Sequence, residues 1–185
     1  MDNGASSYRR FLDGDDSGLA ELVRDYKDGL ILYLNGFVQN VHTAEDLMED
    51  TFFKLMVKKP RFREKYAFKT WLYTIGRNVA LDHLRRNARQ TVLSPEELAV
   101  HRAEEYSLEQ AYLTEERKIA LHRAMGEIHP EYRQILWLIY FEDMKSGDAA
   151  AALGKSARQA ANLLYRAKNA LRLQLEKEGF SYEEL

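Results

Sequence analysis

Cysteine is absent from this 185-residue chain. That removes disulfides, thiolate metal sites and cysteine nucleophiles, and it is compatible with a reducing compartment. Long uncharged apolar runs are missing as well, which excludes a membrane span. Prolines number 3 and glycines 10; long segments of helical period take their place and predict an all-α protein. The opening stretch MDNGASSYRRFLDGDD is polar and acidic and does not read as an export signal. Gly-rich phosphate loops and nucleophile motifs are lacking too.

What the chain does have is segregated charge. The formal net charge is only −2, but it is unevenly laid out. Residues 61–90 hold eight bases and two acids, a local +6. Residues 91–116 hold seven glutamates against Arg102, a local −6. Residues 155–177 hold six bases against Glu176, a local +5. Two cationic blocks flank an acidic one, and that pattern speaks to partners more than the total does. The predicted organisation is a helical domain over residues 1–89, an acidic linker over 90–113 and a second helical domain over 114–185.

The densest signal is FKTWLYTIGRNVALDHLRR, Phe68 to Arg86. Phe68, Trp71, Leu72, Ile75 and Val79 recur at helical spacing and are expected to face a core. Thr70, Tyr73 and Arg77 are expected on the far side, with Lys69 and Asn78 on the flanks. Cations neutralise phosphates and flat rings stack on unpaired bases, so such a helix suits nucleic acid. Taken alone it equally fits an ordinary solvated basic face.

Elsewhere in the first domain, Leu19, Leu22, Val23, Tyr26, Leu30 and Leu34 mark one helix. A second is predicted from an N-cap at Thr43, with Leu47, Phe52, Leu55 and Met56 packing, and Pro60 ending it. RFREKYAF follows as a loop with three rings. In the second domain Ile119, Leu121, Ala124, Met125 and Ile128 mark a helix that stops at His129-Pro130. EYRQILWLIYFEDM is apolar all round and is predicted to be a buried helix.

Ser146 is read as the cap of a short Ala-rich helix, Gly154 as its terminator, and Ser156-Ala157-Arg158-Gln159 as a capping box opening a long helix to about Lys177. Together they predict a helix-turn-helix. On the long helix Ala160, Leu163, Leu164, Ala167 and Leu171 form the inward face. Arg158, Asn162, Tyr165, Asn169 and Arg172 share the opposite side, with Gln159 and Arg166 beside them. Arg, Gln and Asn match base edges in a major groove.

In this order and spacing, AEDLMEDTFFKL at 44–55, the Phe68–Arg86 segment and LGKS…LLYRAKNALR resemble the extracytoplasmic-function (ECF) class of bacterial RNA polymerase sigma factors, over nearly the whole chain. The resemblance implies that Asp46, Glu49, Asp50 and Phe53 bind core RNA polymerase. It assigns Arg61, Phe62, Tyr66, Lys69, Arg77, Asn78, Arg85 and Arg86 to the promoter −10 element, held single-stranded with a base flipped beside the loop. Phe68 and Trp71 are expected in the core, and Asp82 is expected at its edge, paired with Arg86 or a capping group.

Lys155, Ser156, Arg158, Gln159, Asn162, Tyr165 and Arg166 are implied for the −35 element. Here Gln159 to Leu163 replaces the Thr-Val-Lys-Ser-Arg common in relatives, so an unusual −35 sequence is expected. The resemblance further implies a cytoplasmic protein that meets promoter DNA and an anti-sigma factor, does not insert into membranes, and has no catalytic residue, metal or cofactor. Two other functions compete with this one. A polymerase-independent duplex reader would not need the aromatic-basic segment 61–78. A metal-dependent hydrolase would have to use Asp82-His83 or the Glu45, Asp46, Glu49 and Asp50 carboxylates, with no further His at matching spacing.

Overall fold

The structure is a computed structural model that describes residues 3–90, 116–177 and 179. The acidic stretch predicted to link two domains therefore lies, save for Gln90, outside the described residues. The described elements are helical throughout, in two domains.

The N-terminal domain contains α1 (Asn3–Leu12), α2 (Ser17–Val38), α3 (Val41–Lys58) and α4 (Phe68–Gln90). Helix α2 is central and packs on each of the others. Leu22, Leu30 and Leu34 are buried on it as their spacing predicts, while Leu19, Val23 and Tyr26 pack partly buried against the same core. Helix α1 has no counterpart in the sequence reading. It buries Ala5, Tyr8 and Phe11, and the Tyr8 hydroxyl donates to the Pro60 carbonyl at 2.7 Å. Burial pushes that phenol's pKa up to about 12. Tyr8, Phe62, Phe68 and Trp71 form one aromatic cluster, with ring centroids 5.2–5.6 Å apart.

Two details of α3 correct the sequence expectations. Asn40, not Thr43, is the N-cap: its side chain accepts from the Thr43 backbone N–H at 2.8 Å and from the Thr43 hydroxyl at 3.0 Å. Leu47, Phe52 and Leu55 are buried, but Met56 turns outward, because the core-facing stripe ends at Leu55 and Met56 falls 100° beyond it.

The C-terminal domain contains α5 (Glu116–Glu127), α6 (Pro130–Leu136), a π-turn over Trp137–Phe141, α7 (Ser146–Ala152) and α8 (Ala157–Lys177). Arg133 is buried and donates to the carbonyls of Met125, Gly126 and Ile128 at 2.7–3.3 Å. It satisfies carbonyls that the end of α5 leaves open. The run EYRQILWLIYFEDM is not one buried helix. Ile135 to Leu138 are buried, whereas Tyr140 and Phe141, within the π-turn, reach the surface. Lys145, in extended conformation, is the N-cap of α7, and Ser146 lies inside the helix. Gly154 has φ +63°, a left-handed turn that favours glycine. Ser156 and Gln159 close the capping box in both directions, Ser156 N–H to Gln159 Oε1 at 2.9 Å and Gln159 N–H to Ser156 Oγ at 3.2 Å. Helices α7 and α8 thus make the helix-turn-helix.

Candidate nucleic-acid interface

The eight residues assigned to the −10 element occupy three places rather than one surface. At the first, Phe62 and Tyr66 line a recess of about 420 Å³ together with Ala5, Ser6 and Arg9 of α1 and Glu64 and Ala67 of the loop. Arg9 and Glu64 pair at 2.8 Å across its mouth. Tyr66 is exposed, with the Lys65 ammonium 5.3 Å from its ring centre, and Phe62 is half-buried against Phe68 and Trp71. Arg61 is exposed nearby in sequence. A concave site with one free ring, one fixed ring and a cation can hold a planar base. Ser6 and Arg9 escaped the sequence reading because only the fold brings α1 to this loop.

The second place is a cleft between α3 and α4. Arg85 and Arg86 line it with Asp50, Phe53, Lys54, Lys58, Val79 and Asp82. Asp82 is exposed, and its carboxylate pairs with Arg85 at 3.2 Å. Arg86 instead donates to the Asp82 backbone carbonyl at 3.4 Å, so the expected Asp82–Arg86 side-chain pair at a core edge does not form. His83 is engaged with Asn87 at 2.9 Å. Asn78 is exposed further up α4.

The third place faces the C-terminal domain. Lys69 and Arg77 are half-buried there, and Thr70 and Tyr73, expected on an open face, are buried. Helix α4 is covered on two sides, by α2 and α3 and again by α7. A single apolar stripe therefore understates its buried surface. Lys69 pairs with the Glu142 carboxylate at 2.6 Å and also donates to the Glu142 carbonyl at 2.9 Å. Burial, and then the Glu142 charge and hydrogen bond, drive the Tyr73 phenol well above its usual pKa.

On α3, Asp46, Glu49, Asp50, Phe53, Met56 and Val57 are all exposed and recur at i, i+3, i+4, i+7, i+10 and i+11. This is an outward apolar stripe continued by carboxylates, a composition suited to a protein partner.

On α8, Arg158, Gln159, Asn162, Tyr165 and Arg166 are exposed together, with Tyr165 70% exposed. Ala160, Leu163 and Ala167 are buried on the other side, so the two faces fall as their spacing predicts. Ser156 and Gln159 are held by the capping box, and Lys155 pairs with Glu131 at 3.1 Å. A separate apolar groove of about 460 Å³ runs between α5, the π-turn and α8, lined by Leu121, Met125, Tyr140, Phe141, Leu171 and Leu175 among others. Among the described residues no group of three or more His, Cys, Asp or Glu is placed to hold a metal ion, and no helix is long and apolar enough to cross a membrane.

Comparison with known proteins agrees with this layout. Residues 22–90 match the family described as sigma-70 region 2, and residues 118–171 match sigma-70 region 4. The chain is 26% identical over 163 residues to RNA polymerase sigma factor SigV of Bacillus subtilis, covering 88% of this chain and 94% of that one. It is 25% identical over 170 residues to ECF RNA polymerase sigma factor SigW of the same organism, covering 88% and 91%. Its fold is similar to that of the sigma factor RpoE solved in complex with the anti-sigma factor NepR from Bartonella quintana, with a TM-score of 0.67 and 24% identity over 85% of this chain and 96% of that one. It is also similar to CnrH solved in complex with the cytosolic domain of CnrY, with a TM-score of 0.64 and 22% identity over 95% and 96%.

Proposed function

Since this chain belongs to the sigma-70 family, as an ECF sigma factor, we propose how its surfaces divide the work of promoter-directed initiation. It binds core RNA polymerase, recognises −10 and −35 elements and starts transcription of a specific set of genes; it is an initiation factor and not an enzyme. The α3 stripe of Asp46, Glu49, Asp50 and Phe53 docks on the polymerase, extended by Met56 and Val57. The recess beside Phe62 and Tyr66 receives an unpaired base of the −10 strand, where stacking is worth roughly 1–3 kcal/mol per base and offsets the cost of unpairing. Arg61, Lys69, Arg77, Asn78, Arg85 and Arg86 hold the strand around it. The exposed face of α8, from Arg158 to Arg166, enters the −35 major groove by its N-terminal turns, with Lys155 and Ser156 at the groove edge.

The observation that carries this reading is the coexistence of two separate DNA-suited faces and one acidic-apolar docking face on a single small chain. A free-standing duplex reader has no use for the ring-lined recess. The chain works in the cytoplasm, where core polymerase is, and an anti-sigma factor holds it in reserve, as the anti-sigma factor NepR is bound to RpoE in their solved complex.

The direct test is transcription by core polymerase reconstituted with the purified chain on genomic DNA fragments, read by sequencing the transcript starts. New, discrete start sites sharing spaced −10 and −35 sequences are expected. Starts indistinguishable from those of core enzyme alone would overturn the reading.

A further inference from the structure

The apolar groove of the C-terminal domain has no part in the division of labour above. Leu121 and Met125 of α5 line it with Leu171 and Leu175 of α8, beside the exposed rings of Tyr140 and Phe141. Three charges share the lining: Lys168, Arg172 and Glu176. The Lys168 ammonium lies 5.4 Å from the Tyr140 ring centre, and Arg172 meets Glu176 only at 3.7 Å. On α8 the lining residues recur at i, i+3, i+4, i+7 and i+8, so they form one continuous face that runs to the end of the helix.

The chain leaves α8 where that face ends. Lys177 is the last helical residue, and Gly179, at φ +88°, donates its N–H to the Glu176 carbonyl at 3.2 Å. A left-handed glycine there turns the backbone off the helix axis, next to Leu175 and Glu176 of the lining. Residues 180–185, FSYEEL, follow and lie outside the described residues. Their composition complements the groove: two aromatic rings, two carboxylates and no base, against apolar side chains flanked by Lys168 and Arg172. Their length also suffices. From Glu176 back to Lys168 the helix rises about 12 Å, whereas six extended residues reach about 20 Å.

We propose that residues 180–185 fold back antiparallel to α8 and occupy this groove, Phe180 and Tyr182 covering its apolar lining and Glu183 and Glu184 pairing with Lys168 and Arg172. The register follows from the two rises, about 3.3 Å per extended residue and about 1.5 Å per helical one. Running back from Gly179, Phe180 comes level with Leu175, Tyr182 with Leu171 and Glu184 with Lys168. Alternate residues of an extended segment point to one side, so these three face the groove together. The tail keeps an apolar face from water while the chain is alone, and a protein docking there has to displace it. The covered part of α8 begins at Lys168, beyond the turns from Arg158 to Arg166 that face the −35 groove. Tail and promoter are therefore held at the same time.

Met125, 5% exposed in the lining, is the reporter. With carbon-13 methionine methyl groups the chain gives five signals, and rings seated nearby displace the one from Met125. Ending the chain after Gly179, or substituting Phe180→Ser with Tyr182→Ser in the full chain, is expected to move Met125 to the same new position. Met48 and Met56, on the N-terminal domain, are expected to stay. Glu183→Lys with Glu184→Lys, or high salt on the wild type, is expected to move Met125 part of the way. A short tether supplies an effective concentration of about 1 mM. The synthetic peptide of residues 179–185, at about ten times that concentration, is therefore expected to return Met125 of the shortened chain to its original position.

If shortening the chain alters its circular dichroism, the ring-substituted full chain carries the test. A Met125 signal unchanged by removal of the rings would overturn the proposal. So would a signal that depends on protein concentration, which would make a second copy the occupant. A shift on shortening that neither the ring substitutions reproduce nor the peptide reverses would trace it to the end of α8 and overturn the proposal as well.

Discussion

Phe53 offers the cleanest separation of docking from folding. It is 57% exposed on the outer stripe of α3, so its truncation opens no cavity. A phenylalanine side chain presents about 200 Å², which leaves about 110 Å² of Phe53 facing water and available for burial by a partner. At about 25 cal/mol per Å², that burial contributes roughly 2.8 kcal/mol. Fixing the ring in one rotamer costs about 0.5–1.5 kcal/mol, which leaves a net of about 2 kcal/mol. Since about 1.4 kcal/mol is tenfold in affinity, Phe53→Ala should weaken binding to core polymerase about 30-fold. The assay is a titration of the labelled chain with core enzyme, with a thermal melt of each protein alongside. The melting temperature should move little, because exposed truncations fall within about 0.5 kcal/mol. Core affinity within twofold of wild type would refute the assignment of this stripe, and a large fall in melting temperature would refute the claim that Phe53 is outside the core.

Two further predictions concern the C-terminal domain. Arg133→Met leaves the Met125, Gly126 and Ile128 carbonyls without their buried donor; a loss of about 2–4 kcal/mol is expected in urea unfolding, and a loss below about 1 kcal/mol would show that those carbonyls find other partners. His122 sits edge-on to Trp137 and Phe141, at 6.2 and 5.9 Å, and burial lowers its pKa from the usual 6.5. The unfolded chain therefore takes up the proton first as pH falls. The stability from neutral His122 is complete above pH 6.5 and declines as pH drops through that value toward the lowered folded one. Unfolding free energy followed across this range should lose part of its slope in His122→Phe; an unchanged slope would place the titration elsewhere.

Where side chains repeat on one helix, the sequence was a good guide. The two faces of α8 follow from Ala160, Leu163 and Ala167 against Arg158, Asn162 and Tyr165, because each face meets a single environment. The reciprocal bonds of Ser156 and Gln159 were readable for the same reason, since everything they need lies within four residues. Helix α4 was less legible. Its period describes one packed side, whereas Tyr73 lies between Tyr33 of α2 and Glu142 beyond the π-turn, a partner more than sixty residues away in the chain that no local pattern encodes. Glu142 looked like an ordinary charge at the end of an apolar run. Helix α1 was missed because Ala5, Tyr8 and Phe11 are spread through a polar, Gly- and Ser-containing stretch, and its burial depends on the loop it covers. The cap of α3 fell on Asn40 rather than Thr43 because both are good capping residues and only the extended backbone at Asn40 decides between them.

The π-turn sets the phase of everything after it. Within Trp137–Phe141 the Glu142 amide reaches back five residues to the Trp137 carbonyl at 3.1 Å, and Trp137 and Phe141 stack in parallel at 4.4 Å and 4°. One extra residue in a turn rotates the exit of the chain by about 100° relative to an uninterrupted helix. Deleting Ile139 would restore regular winding and carry Glu142 a quarter-turn or more away from Lys69, while the helix-turn-helix beyond it kept every internal bond. The chain's length at this point thus works like a keyway: a single missing link would leave both halves sound and unable to seat against each other.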